Sequence, residues 1–185
     1  MQAKARQRST AAERRATVLR TAVQAFSERG YYGTSTTDVA AAAGISQGYL
    51  YRLFKDKQAL FAAVIDHCSD RLLESASAAV ATVRGTDPET ILRAISASYD
   101  ELIADRTMLM ILLHAQGSAA DPVIGEAVRA CYARQVEYLR AATGAAEDRI
   151  RRYFADALLS NVLVAIDAVS VDAPWARTLR TRPGE

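Results

Sequence analysis

Apolar residues recur along most of this chain at the three- and four-residue spacing of an amphipathic α-helix. In the first such stretch, residues 10–29, Leu19 and Phe26 fall on one face, and Gly30 follows as a typical C-terminal cap. No stretch shows convincingly the alternation of apolar and polar residues that a half-buried strand requires. The pattern therefore predicts an all-α protein.

Beyond residue 57 the same spacing predicts five long helices and a short last turn. The first of them places on one face Phe61, Val64, Ile65, Cys68 and Leu72. The third, residues 107–116, is apolar on nearly every side and is expected deep in the core. Asp121 and Pro122 mark the start of the fourth, which runs to about residue 142. The fifth, residues 146–171, carries an almost continuous apolar seam.

Residues 34–57, with the sequence TSTTDVAAAAGISQGYLYRLFKDK, break this regularity. One short helix ends at Gly44 and another begins after Ser46, so the segment predicts a helix-turn-helix at about residues 35–54. Leu50 and Leu53 can face the core, which leaves a polar outward side. That side presents Gln47, Tyr49 and Arg52, with Gly48 allowing close backbone approach. Glutamine and tyrosine can contact base edges or phosphate, which favours DNA binding over an ordinary solvated hairpin.

Charge is divided unevenly along the chain. Residues 1–57 hold ten Lys and Arg against four Asp and Glu, a net charge of +6, whereas residues 58–185 carry −4. A basic first segment on an acidic body fits a phosphate-binding module joined to a separate core. A solvated basic tail is the alternative interpretation.

Other classes of function find little support in the residues. The longest strongly apolar run, residues 108–113, is too short to cross a bilayer, and the N-terminus has no apolar secretory segment. Cys68 and Cys131 are expected to be buried free thiols, so we predict a cytoplasmic location. His67 and His114 are the only histidines, and neither metal-ligand spacing nor a glycine-rich phosphate loop occurs. We therefore expect no enzyme activity, metal or cofactor.

The segment GISQGYLYRLFKDKQALF, which follows TSTTDVAAAA and FSERGYYG, resembles the N-terminal DNA-binding domain of the TetR family of transcriptional regulators. The resemblance covers about residues 13–61. It implies a three-helix helix-turn-helix domain over residues 1–57 and a helical ligand-binding and dimerisation domain over residues 58–185.

The resemblance also implies roles for individual residues in DNA binding. It places Ser35 and Thr36 on phosphates and Thr37 within reach of a base edge. It assigns base reading to Gln47, Gly48 and Tyr49, phosphate contacts to Tyr51 and Lys57, and a variable role to Arg52. The basic residues before and within the first helix could follow a groove of the DNA or form only a solubilising arm; they are Lys4, Arg6, Arg8, Arg14 and Arg15.

Two long C-terminal helices, residues 121–142 and 146–171, are expected to form a homodimer interface, as they commonly do in this family. The earlier helix would add Ile124, Val128, Cys131, Tyr132 and Leu139 to the seam of the later one. The alternative is that one helix simply completes the core of a monomer. A two-fold dimer would bind a roughly palindromic double-stranded DNA operator.

An effector site is expected among the helices of the body. The candidate contacts are Tyr99, Met108, Met110, His114, Gln116 and Phe154. For each of them plain core packing is the simpler interpretation, but together they favour a small apolar or aromatic ligand. The sequence thus predicts a regulator, most simply a repressor released from its operator by such a ligand. The alternative is a helical dimeric binding or adaptor protein without a role in transcription.

Overall fold

The structure, a computed structural model, describes residues 10–180. Every regular element in that range is an α-helix, which confirms the all-α fold class. The helices are α1 (Ala11–Gly33), α2 (Thr36–Ala42), α3 (Gln47–Leu53), α4 (Lys57–Thr82), α5 (Pro88–Ala104), α6 (Arg106–Gly117), α7 (Pro122–Thr143), α8 (Glu147–Ala165) and α9 (Pro174–Arg180). Within residues 10–180, no helix combines the length and apolar character needed to cross a bilayer.

The first three helices share a small apolar core. At the start of α1 the Thr10 hydroxyl accepts a hydrogen bond from the Glu13 backbone N–H (3.2 Å), and the Glu13 carboxylate accepts one from the Thr10 N–H (2.7 Å). Gly30 interrupts α1 with φ 67° and ψ −179°, where the sequence predicts the helix to end. The buried apolar side chains of this unit are Val18, Ala22, Phe26, Tyr31, Val39, Ala40, Leu50 and Phe54.

Helix α4 joins this unit to the body of the chain. The side chains predicted to share its apolar face are all buried. The ring centroids of Phe61 on α4 and Phe26 on α1 lie 4.6 Å apart, so the core continues from α1 into α4. A division between residues 57 and 58 would fall at the beginning of α4 rather than at a gap in the packing. That domain boundary stays a prediction.

The body surrounds α6. Met108, Leu109 and Ile111 of this helix are no more than 1 % exposed, which agrees with its predicted depth. Helix α4 packs on α5 and α7, and α8 packs on α5 and α6. A second apolar cluster closes the end of the body farther along α4; it contains Ala76, Ile91, Leu92, Ile95, Leu139 and Ile150.

The predicted extent of the last long helix is wrong. Helix α8 ends at Ala165, not near residue 171, because Asp167 has φ 52° and cannot continue a right-handed helix. The Ser170 hydroxyl donates a hydrogen bond to the Asp167 carboxylate (2.7 Å) and stabilises this turn. The apolar spacing continues through the break, but Ile166 and Val169 are exposed by 57 % and 61 %. The apolar pattern therefore reflects an exposed surface and not a longer helix.

Candidate nucleic-acid interface

Helix α3 is presented with its polar side outward, as the sequence predicts. The Ser46 hydroxyl accepts a hydrogen bond from the Tyr49 N–H (3.2 Å) and starts the helix after Gly44, which has φ 68°. Leu50 is fully buried and Leu53 is partly buried. Gln47, Gly48 and Arg52 lie on the exposed side, and Tyr49 is half-buried at its edge. This short helix can therefore offer polar groups to a ligand outside the fold.

A hydrogen-bonded network connects α2 with α3. The Thr36 Oγ1 atom accepts a hydrogen bond from Gln47 Nε2 (3.1 Å) and lies 2.9 Å from the Tyr51 hydroxyl oxygen. The Thr36 side chain belongs to a residue only 7 % exposed, whereas Tyr51 is 43 % exposed. The Thr36 hydroxyl is thus mostly buried and positions two neighbouring side chains, and its contact with phosphate stays a prediction. Sequence reasoning missed this role because the crossing of α2 and α3 creates it.

The other candidate DNA contacts surround this network. Ser35 and Thr37 are exposed at the start of α2, where the Ser35 hydroxyl accepts a hydrogen bond from the Thr37 N–H (3.1 Å). Lys57 begins α4, and its ammonium group lies 4.7 Å from the centre of the Tyr31 ring. Burial lowers the pKa of Lys57 from its usual value. The ammonium group of Lys57 is thus held against an aromatic ring at the start of α4.

Two of the basic residues at the N-terminus belong to the folded unit. The Arg15 guanidinium donates a hydrogen bond to the Leu53 carbonyl (2.6 Å) and lies 4.0 Å from the centre of the Phe54 ring. Arg15 therefore supports the end of α3 and is not free to follow a groove. Arg14 lies 5.6 Å from the centre of the Tyr49 ring, next to the outward side of α3. The remaining basic candidates lie outside the described residues; they are Lys4, Arg6 and Arg8.

Known proteins share this arrangement. Residues 18–64, from α1 into α4, match the family model of bacterial regulatory proteins of the tetR family. The chain is 26 % identical to the transcriptional activator FasR of Mycolicibacterium smegmatis over 87 % of its own length and 70 % of that protein. It superposes on a TetR-like transcriptional regulator from Rhodococcus sp. RHA1 with a TM-score of 0.67 and 26 % identity, covering 93 % of this chain and 94 % of the other.

These comparisons support a TetR-family transcriptional regulator whose DNA-binding domain includes residues 18–64. A regulator of this family binds DNA through the helix-turn-helix, which here is formed by α2 and α3. The fold of the whole chain is also that of the transcriptional regulator FadR from Bacillus subtilis, with a TM-score of 0.69 and 16 % identity over 89 % of this chain and 94 % of that one.

The body of this TetR-family regulator contains a small cavity between α4, α5, α6, α7 and α8, here called the central cavity. Its volume is about 40 Å³. None of the described residues that line it is charged, and most are apolar. The polar lining residues are Tyr99, Gln116, Tyr132, Gln135, Tyr153 and Asn161. Several of these hydrogen-bond to one another, so the cavity is apolar with a few fixed polar groups.

The polar groups of the central cavity are mostly paired. The Tyr99 hydroxyl donates to the Asn161 carbonyl oxygen (2.8 Å), and Gln116 Nε2 donates to the Tyr132 hydroxyl (2.9 Å). Burial raises the pKa of Tyr99 to about 12 and also raises the pKa of Tyr153. These tyrosines are therefore neutral near pH 7 and can offer only hydrogen bonds to a ligand.

Half of the residues predicted to contact an effector line this cavity. Tyr99, Gln116 and Phe154 do so, whereas Met108, Met110 and His114 do not. Met108 is buried in the core that extends from α1. The His114 ring lies against Gly30: a Cβ atom added to Gly30 would be 3.0 Å from His114 Nδ1. A helical period places these residues near one another but does not show which side of α6 faces which neighbour.

Sequence reasoning missed Gln135 and Asn161 as residues of the cavity. Asn161 interrupts the apolar seam of α8 and is only 2 % exposed, so its polar side chain was the available signal. A buried asparagine needs hydrogen-bond partners, which here include Tyr99. Gln135 carries no comparable signal, because α7 is amphipathic and polar residues are frequent along it.

Helix α8, the segment that follows it and helix α9 expose apolar side chains, here called the apolar strip and defined as Leu158, Leu159, Val162, Ile166, Val169, Trp175 and Leu179. The members on α8 are mostly three or four residues apart and so share a face. The residues that α7 was predicted to add do not belong to an exposed surface. Ile124, Cys131 and Leu139 are buried inside the subunit. Val128 and Tyr132 line the central cavity.

Proposed function

We propose that this TetR-family regulator is a homodimeric repressor that binds a two-fold symmetric operator and is released by an uncharged, mostly apolar small molecule. The observation that carries operator binding is the presentation of α3, with Leu50 buried and Gln47 and Arg52 exposed on the opposite side. A helix held in this way can enter the major groove, where base edges differ in their donors and acceptors.

The exposed residues divide into two proposed roles in DNA binding. Gln47 and Tyr49, with Gly48 between them, would face the bases from the first turn of α3. The phosphate contacts would come from the surrounding groups, namely the exposed Ser35, Thr37 and Tyr51 and the partly buried Lys57. Arg52 also faces outward and would lie close to the backbone of the DNA. Base contacts give sequence preference, whereas phosphate contacts set position and general affinity.

The apolar strip of α8 and α9 supports a homodimer. Seven large exposed apolar side chains within residues 158–179 are more than a protein that remains a monomer is expected to leave uncovered in one region. Pairing the strip with its copy about a two-fold axis would cover it and give the dimer two symmetry-related α3 helices. The operator would then be an inverted repeat with half-sites about one helical turn of DNA apart, roughly 34 Å, or a little more.

Selection of binding sites from a random double-stranded DNA library tests operator binding. We expect an inverted repeat, with Gln47→Ala relaxing one position in each half-site by about 1–3 kcal/mol. The matched control is Lys57→Ala, which should weaken binding to cognate and scrambled DNA by the same factor. Equal binding of the unaltered protein to cognate and scrambled DNA would contradict the proposal.

The size and lining of the central cavity support a ligand-dependent change of shape. Its volume of about 40 Å³ is far below the roughly 300–1,000 Å³ of typical ligand pockets. A ligand must therefore separate the surrounding helices as it enters. The neutral lining favours an uncharged ligand with one or a few hydrogen-bonding groups. FadR from Bacillus subtilis, which shares the fold, was solved in complex with stearoyl-CoA, so long acyl chains belong among the compounds to test.

Release from the operator follows if the ligand binds better to the protein with the helices around the cavity separated, and DNA binds better to the protein with these helices closed. The affinities for ligand and DNA are then coupled reciprocally. A thermal-shift screen of neutral apolar and aromatic compounds, with free fatty acids and acyl-CoA thioesters as separate arms, would identify ligands. Each ligand would then be tested for operator release. A ligand that stabilises the protein and leaves its DNA affinity unchanged would refute the coupling.

Repression is proposed because binding over a promoter needs no surface other than the DNA-binding one. The relative FasR is named an activator, so the sign of regulation needs its own measurement. Transcription in vitro from a promoter that contains the selected operator should fall when the protein is added and recover when the ligand is added. A rise in transcription on adding the protein would show activation instead.

A further inference from the structure

We infer that Thr36 and Tyr51, which do not contact bases themselves, determine which base Gln47 accepts, and that this base is adenine rather than guanine. The inference rests on the proposed operator binding and concerns the network between α2 and α3. It assigns Tyr51 a second role beyond a phosphate contact, as a residue that positions the reading side chain.

The network is a chain of three polar side chains, in which the buried Thr36 links the two exposed residues Gln47 and Tyr51. Gln47 Nε2 is 3.1 Å from Thr36 Oγ1, which is 2.9 Å from the Tyr51 hydroxyl oxygen. Its middle member is 7 % exposed and its Tyr51 end is 43 % exposed. Water therefore competes little for Thr36, while both ends can meet DNA.

The protons of such a chain can be ordered in two directions. A hydroxyl group has one proton to donate and can accept in return. In one order Gln47 donates to Thr36, Thr36 donates to Tyr51, and the Tyr51 proton points outward. In the reverse order Tyr51 donates to Thr36 and Thr36 donates to the Gln47 carbonyl oxygen.

DNA selects between these orders. A phosphate oxygen can only accept hydrogen bonds, so a Tyr51 hydroxyl that binds a phosphate must donate its single proton to the phosphate oxygen. The Tyr51 oxygen then accepts the proton of Thr36, and Thr36 accepts from the Gln47 amide. This is also the direction in which the Gln47 N–H points at Thr36 in the structure.

The direction of the chain sets the chemical groups that Gln47 presents. With one N–H committed to Thr36, Gln47 retains its carbonyl oxygen and a second N–H, an acceptor beside a donor. That pair matches the N6 amino group and the N7 atom of adenine. In the reverse order Thr36 occupies one lone pair of the carbonyl oxygen and leaves both N–H donors of the amide free, which favours the O6 and N7 acceptors of guanine.

Binding to four operator variants, one for each base pair at the position that Gln47→Ala relaxes, tests the inference. The unaltered protein should prefer adenine to guanine by about 5- to 150-fold, the range for a good bidentate contact. Tyr51→Phe frees the Thr36 proton to bond to the Gln47 carbonyl oxygen, and Thr36→Val removes the link altogether. Both substitutions should bring the adenine-to-guanine ratio towards one.

Two controls separate positioning from general effects. Lys57→Ala should lower affinity for all four variants by one factor and leave the ratio unchanged. Thr36→Ser keeps a hydroxyl at the same place and should keep the ratio near that of the unaltered protein. Thermal unfolding of each variant establishes that the changes act on a folded protein.

A preference for guanine in the unaltered protein would overturn the inference, since the chain would then run in the reverse direction. A Tyr51→Phe variant that binds all four operators more weakly by the same factor would also overturn it, because Tyr51 would be only a phosphate contact. Either result would leave operator binding intact. If the unaltered protein shows no base preference anywhere, operator binding fails and this inference fails with it.

Discussion

Replacing Gly30 by alanine should destabilise the protein at the contact between the DNA-binding unit and the body. Gly30 has φ 67° and ψ −179°, a conformation that side chains with a Cβ atom rarely adopt. The added Cβ would also lie 3.0 Å from Nδ1 and 3.2 Å from Cε1 of His114 on α6. The substitution thus combines backbone strain with a steric conflict.

The expected cost follows from these two contributions. Holding alanine in this backbone region costs about 2 kcal/mol, within the range of 1–3 for strained residues. Displacing the His114 ring by a few tenths of an ångström adds about 1 kcal/mol, at the low end for overpacking, because the ring can tilt. A loss of about 3 kcal/mol lowers the melting temperature of a chain of this size by about 6–12 °C.

Thermal and denaturant unfolding measure this loss, and Gly44→Ala is the matched control. Gly44 also has a positive φ, 68°, but a Cβ atom there would meet nothing within 4 Å. It should therefore show only a backbone cost of about 1–2 kcal/mol. In a double-mutant cycle, His114→Ala should relieve part of the Gly30→Ala defect. Equal shifts for the two glycine variants, together with an additive cycle, would refute the steric contribution of His114.

Three further substitutions or conditions test other parts of the structure. Lys57→Gln should lower the dependence of log affinity on log salt concentration by about one unit, because one phosphate contact is lost; an unchanged slope would exclude that contact. Val162→Asp on the apolar strip should yield monomers in light scattering and weaken operator binding, whereas Val123→Asp, at a similarly exposed valine outside the strip (46 % against 49 %), should leave the dimer intact. Burial raises the pKa of the Cys68 thiol from 9.0 to about 12. Between pH 9 and 12 the thiol therefore ionises in the unfolded chain but not in the folded one, so the free energy of unfolding should decrease as the pH rises. Cys68→Ala should make this decrease smaller.

The helix-turn-helix could be predicted because its determinants are local. Gly44 supplies the turn, Ser46 caps α3, and Leu50 marks the inward side, all within seven residues of one another. The apolar face of α4 could be predicted for the same reason, since a helical period is a property of one segment. For helices with such local signals, the predicted type agrees with the structure and the predicted first and last residues are nearly right.

The parts that could not be predicted depend on contacts between distant segments. Helical spacing shows that residues of α7 share a face, but it cannot show that this face fills the subunit instead of a dimer interface. It likewise cannot show that His114 on α6 reaches Gly30 rather than a ligand. Thr36 was assigned to phosphate by its place in the helix-turn-helix, while its burial depends on how α2 crosses α3. Tertiary packing decided each of these outcomes.

Helices α4 and α6 connect the central cavity with the DNA-binding unit. On each helix, a residue that lines the cavity lies within about one turn of a residue that contacts α1. On α6, Gln116 donates to Tyr132 in the cavity, and two residues earlier His114 lies against Gly30. On α4, Ile65 lines the cavity, and one turn earlier Phe61 packs against Phe26 of α1 with the two rings tilted. A helix is stiff over one turn, so enlarging a cavity of about 40 Å³ must displace these contacts as well. A displacement that admitted the proposed ligand would therefore change how α1 holds α3, which is the physical basis expected for reciprocal coupling between ligand and operator.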